Sequence, residues 1–206
     1  MPFTDYSDLQ AAIANWLNRA DLSAAIPDFV SQAEATLNKV LRTRYMIADA
    51  TLPAVANADR VALPADFIDA LYVVDTATPA NTLVKQVPDW MARQQRLRLK
   101  TPAVPLYYAV IGANMLLCPV PAANTSYRLS YYQEIPALSS GNPVNWVLTH
   151  HADLYLYTAL MHAAPYMADD ARTELFGQSI VKMVQALIAN NQTTTLEGQD
   201  YNEFKG

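Results

Sequence analysis

A chain of 206 residues with a formal net charge of -5 has length for one domain, or one domain with a sizeable insertion. Half of it is apolar (52%) and 16% is charged, the balance of a folded protein with a real core. That charge argues against tight general nucleic-acid binding, which relies on many Lys and Arg contacts to phosphates.

The opening MPFTDYSDLQ has neither the basic region nor the apolar core of a signal peptide, and no apolar run approaches the roughly 20 residues that span a bilayer. The expectation is a protein made in the cytoplasm, with no membrane partner. A single cysteine, Cys118, excludes an internal disulfide framework and a multi-thiolate metal site.

Leu9, Ala12, Ile13, Trp16 and Leu17 repeat as on a helix burying one face, with Thr4 or Ser7 as its cap. Pro27 suits the first turn of a second helix, whose stripe is Phe29, Val30, Ala33, Leu37, Val40 and Leu41. From Thr43 to Pro136 the period shortens. Strands are expected at 45–52, 60–63, 71–74, 83–87, 106–111 and 115–118, with a hairpin at Gly112-Ala113-Asn114 and a short helix from Pro88 to Leu97. Tyr127, Leu129 and Tyr131 then alternate with Arg128, Ser130 and Tyr132, as in a half-buried antiparallel strand. Asn142-Pro143 signals a new helix start, followed by an apolar stretch from Trp146 to Ala164. Asp169 and Asp170 open a last helix striped by Leu175, Phe176, Ile180, Met183, Val184 and Leu187.

The expected fold class is α+β: a helical bundle of about four helices interrupted by a small inserted antiparallel β-domain. Residues 1–44 and 137–191 form the bundle, 45–136 the insertion, and 192–206 an extended C-terminal tail.

Several segments in this order resemble the head-to-tail adaptor proteins of tailed bacteriophages, of the short-tailed-phage tail accessory factor type. They are LQAAIANWLNRADLSAAIPDFVSQAEATLNKVLR (9–42), VALPADFIDA (61–70), PLYYAVIGANMLLCPVP (105–121) and YYQEIPALSSGNPVNWVLTHHADLYLYTALMHAAPYMADD (131–170). The resemblance covers residues 4 to 191 and rests on the order of its segments, not on one diagnostic motif. It implies a virion protein of the head–tail junction, assembled in the host cytoplasm. Such a protein forms a dodecameric ring under the portal protein ring, extends the DNA channel and receives tail or nozzle proteins. Genomic DNA would pass through without specific binding. In some such proteins a C-terminal arm lies along the portal. Here Leu196, Tyr201 and Phe204 are three apolar anchors on a polar strand, suited to binding that orders on contact. The plainer reading is a frayed end.

Arg93, Arg96, Arg98 and Lys100 form a basic strip that either faces the portal or the DNA channel, or is simply a solvated helix face. His150, His151, Asp153 and His162 raise a metal question, but a closed site needs four ligands in fixed geometry, and interface histidines are the simpler reading. No metal or other cofactor is expected. No nucleophile elbow, phosphate loop or H-E-x-x-H occurs, and no catalytic residue is assigned. Cys118, between Leu117 and Pro119, reads as a small core residue. Two rival readings remain. One is a virion recognition module using Tyr107, Tyr108, Tyr127, Tyr131 and Tyr132, of which more than half are expected in the core. The other is a tail-associated cell-wall hydrolase, with Glu34 and Glu134 as nominal acids.

Overall fold

The computed structural model describes residues 3–77, 81–97, 101–167 and 170–197. The chain divides into two compact units, Met1–Tyr45 with Ile135–Gly206, and Met46–Glu134.

In the first unit, α1 (Tyr6–Leu17) buries Leu9, Ile13 and Leu17, one residue per turn. Its cap is neither Thr4 nor Ser7 but Asp5, whose carboxylate accepts from the Asp8 N–H at 3.0 Å. Thr4 and Ser7 support that cap: Ser7 donates to Asp5, and the Thr4 N–H donates to Asp8 at 2.9 Å. Asn18 ends the helix in the left-handed region (φ 48), which an Asn side chain tolerates.

Helix α2 (Ile26–Val40) carries Pro27 in its first turn and buries Phe29, Val30, Ala33, Glu34 and Leu37. Of the expected stripe, Val40 is exposed, while Leu41 is fully buried beyond the last turn on extended backbone.

The apolar stretch expected from Trp146 is two helices, α4 (Trp146–His150) and α5 (Ala152–Ala163), broken at His151. Asn142-Pro143 does not cap them. Asn142 instead holds a turn, donating through Nδ2 to the Ala137 carbonyl, and Asn145 is the cap. Helix α5 buries Leu154, Tyr155, Leu156, Thr158, Ala159, Leu160 and Ala163, residues on every side of it. The reason is its position: α1, α2 and α6 all pack against it, so little of it meets solvent and Asp153 is its one exposed residue. Helix α6 (Asp170–Glu197) buries Phe176 and Ile180.

The second unit holds β1 (Ile47–Ala54), β2 (Arg60–Ala62), β3 (Phe67–Asp75), β4 (Thr82–Lys85), α3 (Pro88–Leu97), β5 (Tyr107–Ile111), β6 (Asn114–Cys118) and β7 (Thr125–Gln133). The sheet order is β1-β7-β3-β4-β5-β6-β2, and the end strands β1 and β2 touch, so the seven strands come close to closing on themselves. Gly112 (φ +59) opens the two-residue turn between β5 and β6, as a Gly-first hairpin requires. Leu52, Val73, Leu83, Tyr108, Met115, Leu117, Tyr127 and Leu129 fill the interior.

Three expectations need correction. The described residues form six α-helices, five of them in the first unit, because the stretch after Trp146 breaks and α6 is long. The sheet is mixed, since β4 pairs with β5 in parallel (Val84↔Tyr107). The helix between them is what permits this, as parallel neighbours need a crossover and cannot be joined by a tight turn. The C-terminal segment is not extended from residue 192. Helix α6 continues to Glu197 through Asn, Gln and Thr, none of which breaks a helix. Among the described residues no helix is long and apolar enough to cross a membrane.

Candidate functional site

Helix α3 exists to cover the outside of the β5–β6 hairpin: Met91 is fully buried there with Ala109, Leu116 and Cys118, and Trp90 meets the Tyr107 ring edge-on at 4.9 Å. Its solvent side carries Arg93. Arg93 Nη2 pairs with Asp89 Oδ2 at 2.7 Å, one turn earlier on the same helix, and both side chains are largely exposed. That pair neutralises one charge of the expected strip and adds little stability. Arg96 lies on the same helix, while Arg98 and Lys100 fall outside the described residues. Leu196 lies in the last turn of α6, and Tyr201 and Phe204 also fall outside the described residues.

The first unit presents an aromatic cluster drawn from distant parts of the sequence. The Tyr45 ring stacks on Trp146 at 5.3 Å (17° between planes) and on His150 at 5.2 Å (26°). The guanidinium of Arg44 lies 5.2 Å from the centroid of the same ring. His151 meets Trp146 edge-on at 6.3 Å. Helix α4 sets the geometry: Asn145 fixes its first turn, and Trp146 and His150, four apart, lie on one face. Tyr45 remains 38% exposed and His150 is exposed, so the stack is a surface feature of its unit. Trp, Tyr and Arg on one rigid patch is the composition of binding hot spots. The detectable signal was His150 one turn after Trp146. Its partner, Tyr45, lies a hundred residues away in sequence.

Beneath the cluster runs a buried polar network. Glu34 Oε1 accepts from the Tyr155 hydroxyl at 2.6 Å and from the Leu138 N–H at 2.7 Å. Asn145 Nδ2 donates to the Tyr155 oxygen at 3.1 Å and to the Pro136 carbonyl at 2.8 Å, while its Oδ1 caps α4 through the Leu148 N–H. Asn38 Oδ1 accepts from the Ile135 N–H at 2.8 Å. Together these bonds tie the segment returning from the β unit onto α2. Burial raises the Glu34 carboxyl above its ordinary value, against the two donors that favour its charged form.

The chemistry available here is limited. Glu34 is spent on structural bonds, and a glycosidase would need a second carboxylate across a cleft from it. His162 Nε2 lies 2.9 Å from Thr36 Oγ1, whose own hydrogen goes to the Gln32 carbonyl, so the imidazole donates. Burial lowers the basicity of His151 and of His162. Among the described residues no three metal-ligating side chains converge. Cys118 is fully buried, and desolvation raises its thiol, the opposite of an activated nucleophile. Tyr108, Tyr127 and Tyr131 are buried in the sheet interior, which leaves Tyr107 and Tyr132 partly accessible.

Residues 4–199 match the family model described as SU10 adaptor protein. No curated protein matches the chain.

Proposed function

The chain belongs to the SU10 adaptor protein family, and on that premise we propose that it joins head to tail in a tailed bacteriophage, docking beneath the portal protein ring. The family is one of phage structural adaptors, so the chain is a virion structural component and takes part in tail assembly. The observation that carries the finer reading is the extent of the match. It runs from residue 4 to residue 199 and takes in both compact units, so the role belongs to the whole chain and not to a borrowed module.

On this reading copies associate through a heterologous contact that closes into a dodecameric ring. The ring extends the DNA channel and gives tail or nozzle proteins a platform. A net charge of -5 suits a conduit, which must let the genome slide and not hold it. The stacked Tyr45, Trp146 and His150 with Arg44 supply a docking patch, since rigid aromatic rings bury much area with few rotamers to freeze. Leu196, Tyr201 and Phe204 act as portal anchors on the C-terminal segment. Portal binding supplies free energy that an isolated subunit lacks, so the ring assembles on its template.

The test is native mass spectrometry of the protein alone and mixed with the portal ring of its virion. Loading of one copy per portal subunit is the expected result. A portal that stays bare overturns the adaptor role at that junction.

A further inference from the structure

At one end of the β unit the turn after β3, the segment before β5 and the loop before β7 converge on a cavity of about 270 Å³. Its walls are largely apolar and small, among them Val104, Pro105, Pro121 and Ala122. Four polar residues line it: Asn124 and Thr125 are already hydrogen-bonded, while Asp75 and Tyr127 are cross-strand partners on β3 and β7 and so project to the same face. Both are almost wholly buried, at 3% and 0% exposure.

The protein around them satisfies this pair only in part. The Tyr127 hydroxyl is buried without a hydrogen-bond partner. Asp75 Oδ1 accepts twice, from the Ala77 N–H at 2.9 Å and from Thr125 Oγ1 at 3.2 Å. Among the described residues nothing donates to Asp75 Oδ2 and no cation pairs with this carboxylate. An orphaned buried hydroxyl is costly, and the second carboxylate oxygen is left free to accept. Apolar walls with a few convergent polar groups at the mouth of a strand barrel form the usual pattern of a binding site.

We infer that this pocket receives the side chain of a lysine presented by a protein partner. Its apolar walls suit the methylene stem, and an ammonium with three donors reaches Asp75 Oδ2 and Tyr127 Oη together. Arginine fits less well: its planar fork pairs best with both oxygens of a carboxylate, and Oδ1 is already filled. Burial and the nearby Asp75 push the Tyr127 hydroxyl up to about 12, so at neutral pH it stays protonated and its oxygen accepts without adding charge. The inference is independent of which virion protein carries the lysine.

The probe is N-acetyl-lysine methylamide, titrated into the full chain while the backbone amides of Ala77 and Thr125 are followed by NMR. Saturable shifts in the millimolar range are expected, with the norleucine analogue, which lacks the amine, producing none. Asp75→Asn weakens binding about tenfold or more, and Tyr127→Phe, which removes only an unpartnered hydroxyl, weakens it about threefold. The Phe variant keeps its fold, so it remains informative if the Asn variant does not. Tighter binding of the lysine amide than of n-butylamine supports a peptide source. Equal binding of n-butylamine, shifts with norleucine, or unchanged affinity in Tyr127→Phe would overturn the inference.

Discussion

Tyr155 donates its hydroxyl hydrogen to Glu34 Oε1 at 2.6 Å, a buried bond that ties α5 to α2 inside the helical unit. Both residues are buried, and the same carboxylate oxygen also takes the Leu138 N–H. The pair therefore holds together two helices and the chain segment that returns from the sheet.

A pH dependence follows from it. Burial raises the Glu34 carboxyl in the folded protein above its ordinary 4.5. Between those two values the folded state keeps a proton that the unfolded state has lost, so stability falls as pH rises through that window and is greatest below it. Glu34→Gln keeps an acceptor at Oε1 and cannot ionise. Its urea midpoint should lack this slope and exceed that of the unaltered protein above the window. Glu34→Ala strands the Tyr155 hydroxyl and the Leu138 N–H, at a cost of about 2–4 kcal/mol. Equal slopes for the Gln variant and the parent would remove Glu34 from this role.

Asn145 bears three structural duties with one side chain: it caps α4 and donates to both Tyr155 and the Pro136 carbonyl. Asn145→Ala should cost about 2–3 kcal/mol by chemical denaturation, above the roughly 1 kcal/mol of an ordinary cap. Asn145→Asp keeps the cap but sets a buried carboxylate oxygen against the Pro136 carbonyl and the Tyr155 oxygen, so it should cost at least as much as the Ala variant. A cost of cap size alone for the Ala variant would show that the donor bonds contribute nothing net.

The periodicity of α1 and α2 was legible because each buries a single face, which sequence records as spacing. The alternation of β7 holds for Tyr127, Leu129 and Tyr131, but Ser130, expected on the open face, is buried as well. What stayed hidden depends on neighbours distant along the chain. Helix α5 buries most of its circumference, so its break from α4 at His151 left no mark in the apolar pattern. The parallel β4–β5 pair follows from where α3 packs, and strand composition does not encode direction. The cap of α1 moved by a residue or two, because Thr4, Asp5 and Ser7 are all competent caps and only backbone geometry chooses among them. For the surface cluster, Trp146 and His150 were visible as helix neighbours, but nothing local places Tyr45 between their rings.

Cys118 offers a check on the packing beneath α3. Its thiol is fully buried beside Met91 and Ala109, and desolvation raises it. A disulfide reagent such as DTNB should leave it unmodified in the native protein and label it fully in denaturant. Cys118→Ala should lose about 1 kcal/mol by removal of one buried atom, and Cys118→Ser more, since the hydroxyl gains no partner there. Rapid native labelling would mean that α3 lifts from the hairpin readily.

The docking patch and the C-terminal anchors make separable predictions about portal loading. Trp146→Ala removes one face of the Tyr45 stack and, as a hot-spot truncation, should weaken loading by about 2 kcal/mol, near thirtyfold. Replacing Leu196, Tyr201 and Phe204 together by Ala tests the anchors, and a comparable loss is expected, because apolar side chains on a polar segment have most to gain from burial. Deleting 198–206 instead leaves α6 whole to Glu197, which distinguishes Leu196 from the two aromatic residues. Each variant is checked by its thermal midpoint, so that a folding defect is not mistaken for lost contact. If Trp146→Ala loads normally while the triple variant fails, the cluster serves another neighbour, a second subunit or a tail protein. If both load normally, the portal reads a different face of the chain, and neither the patch nor the anchors carry the attachment.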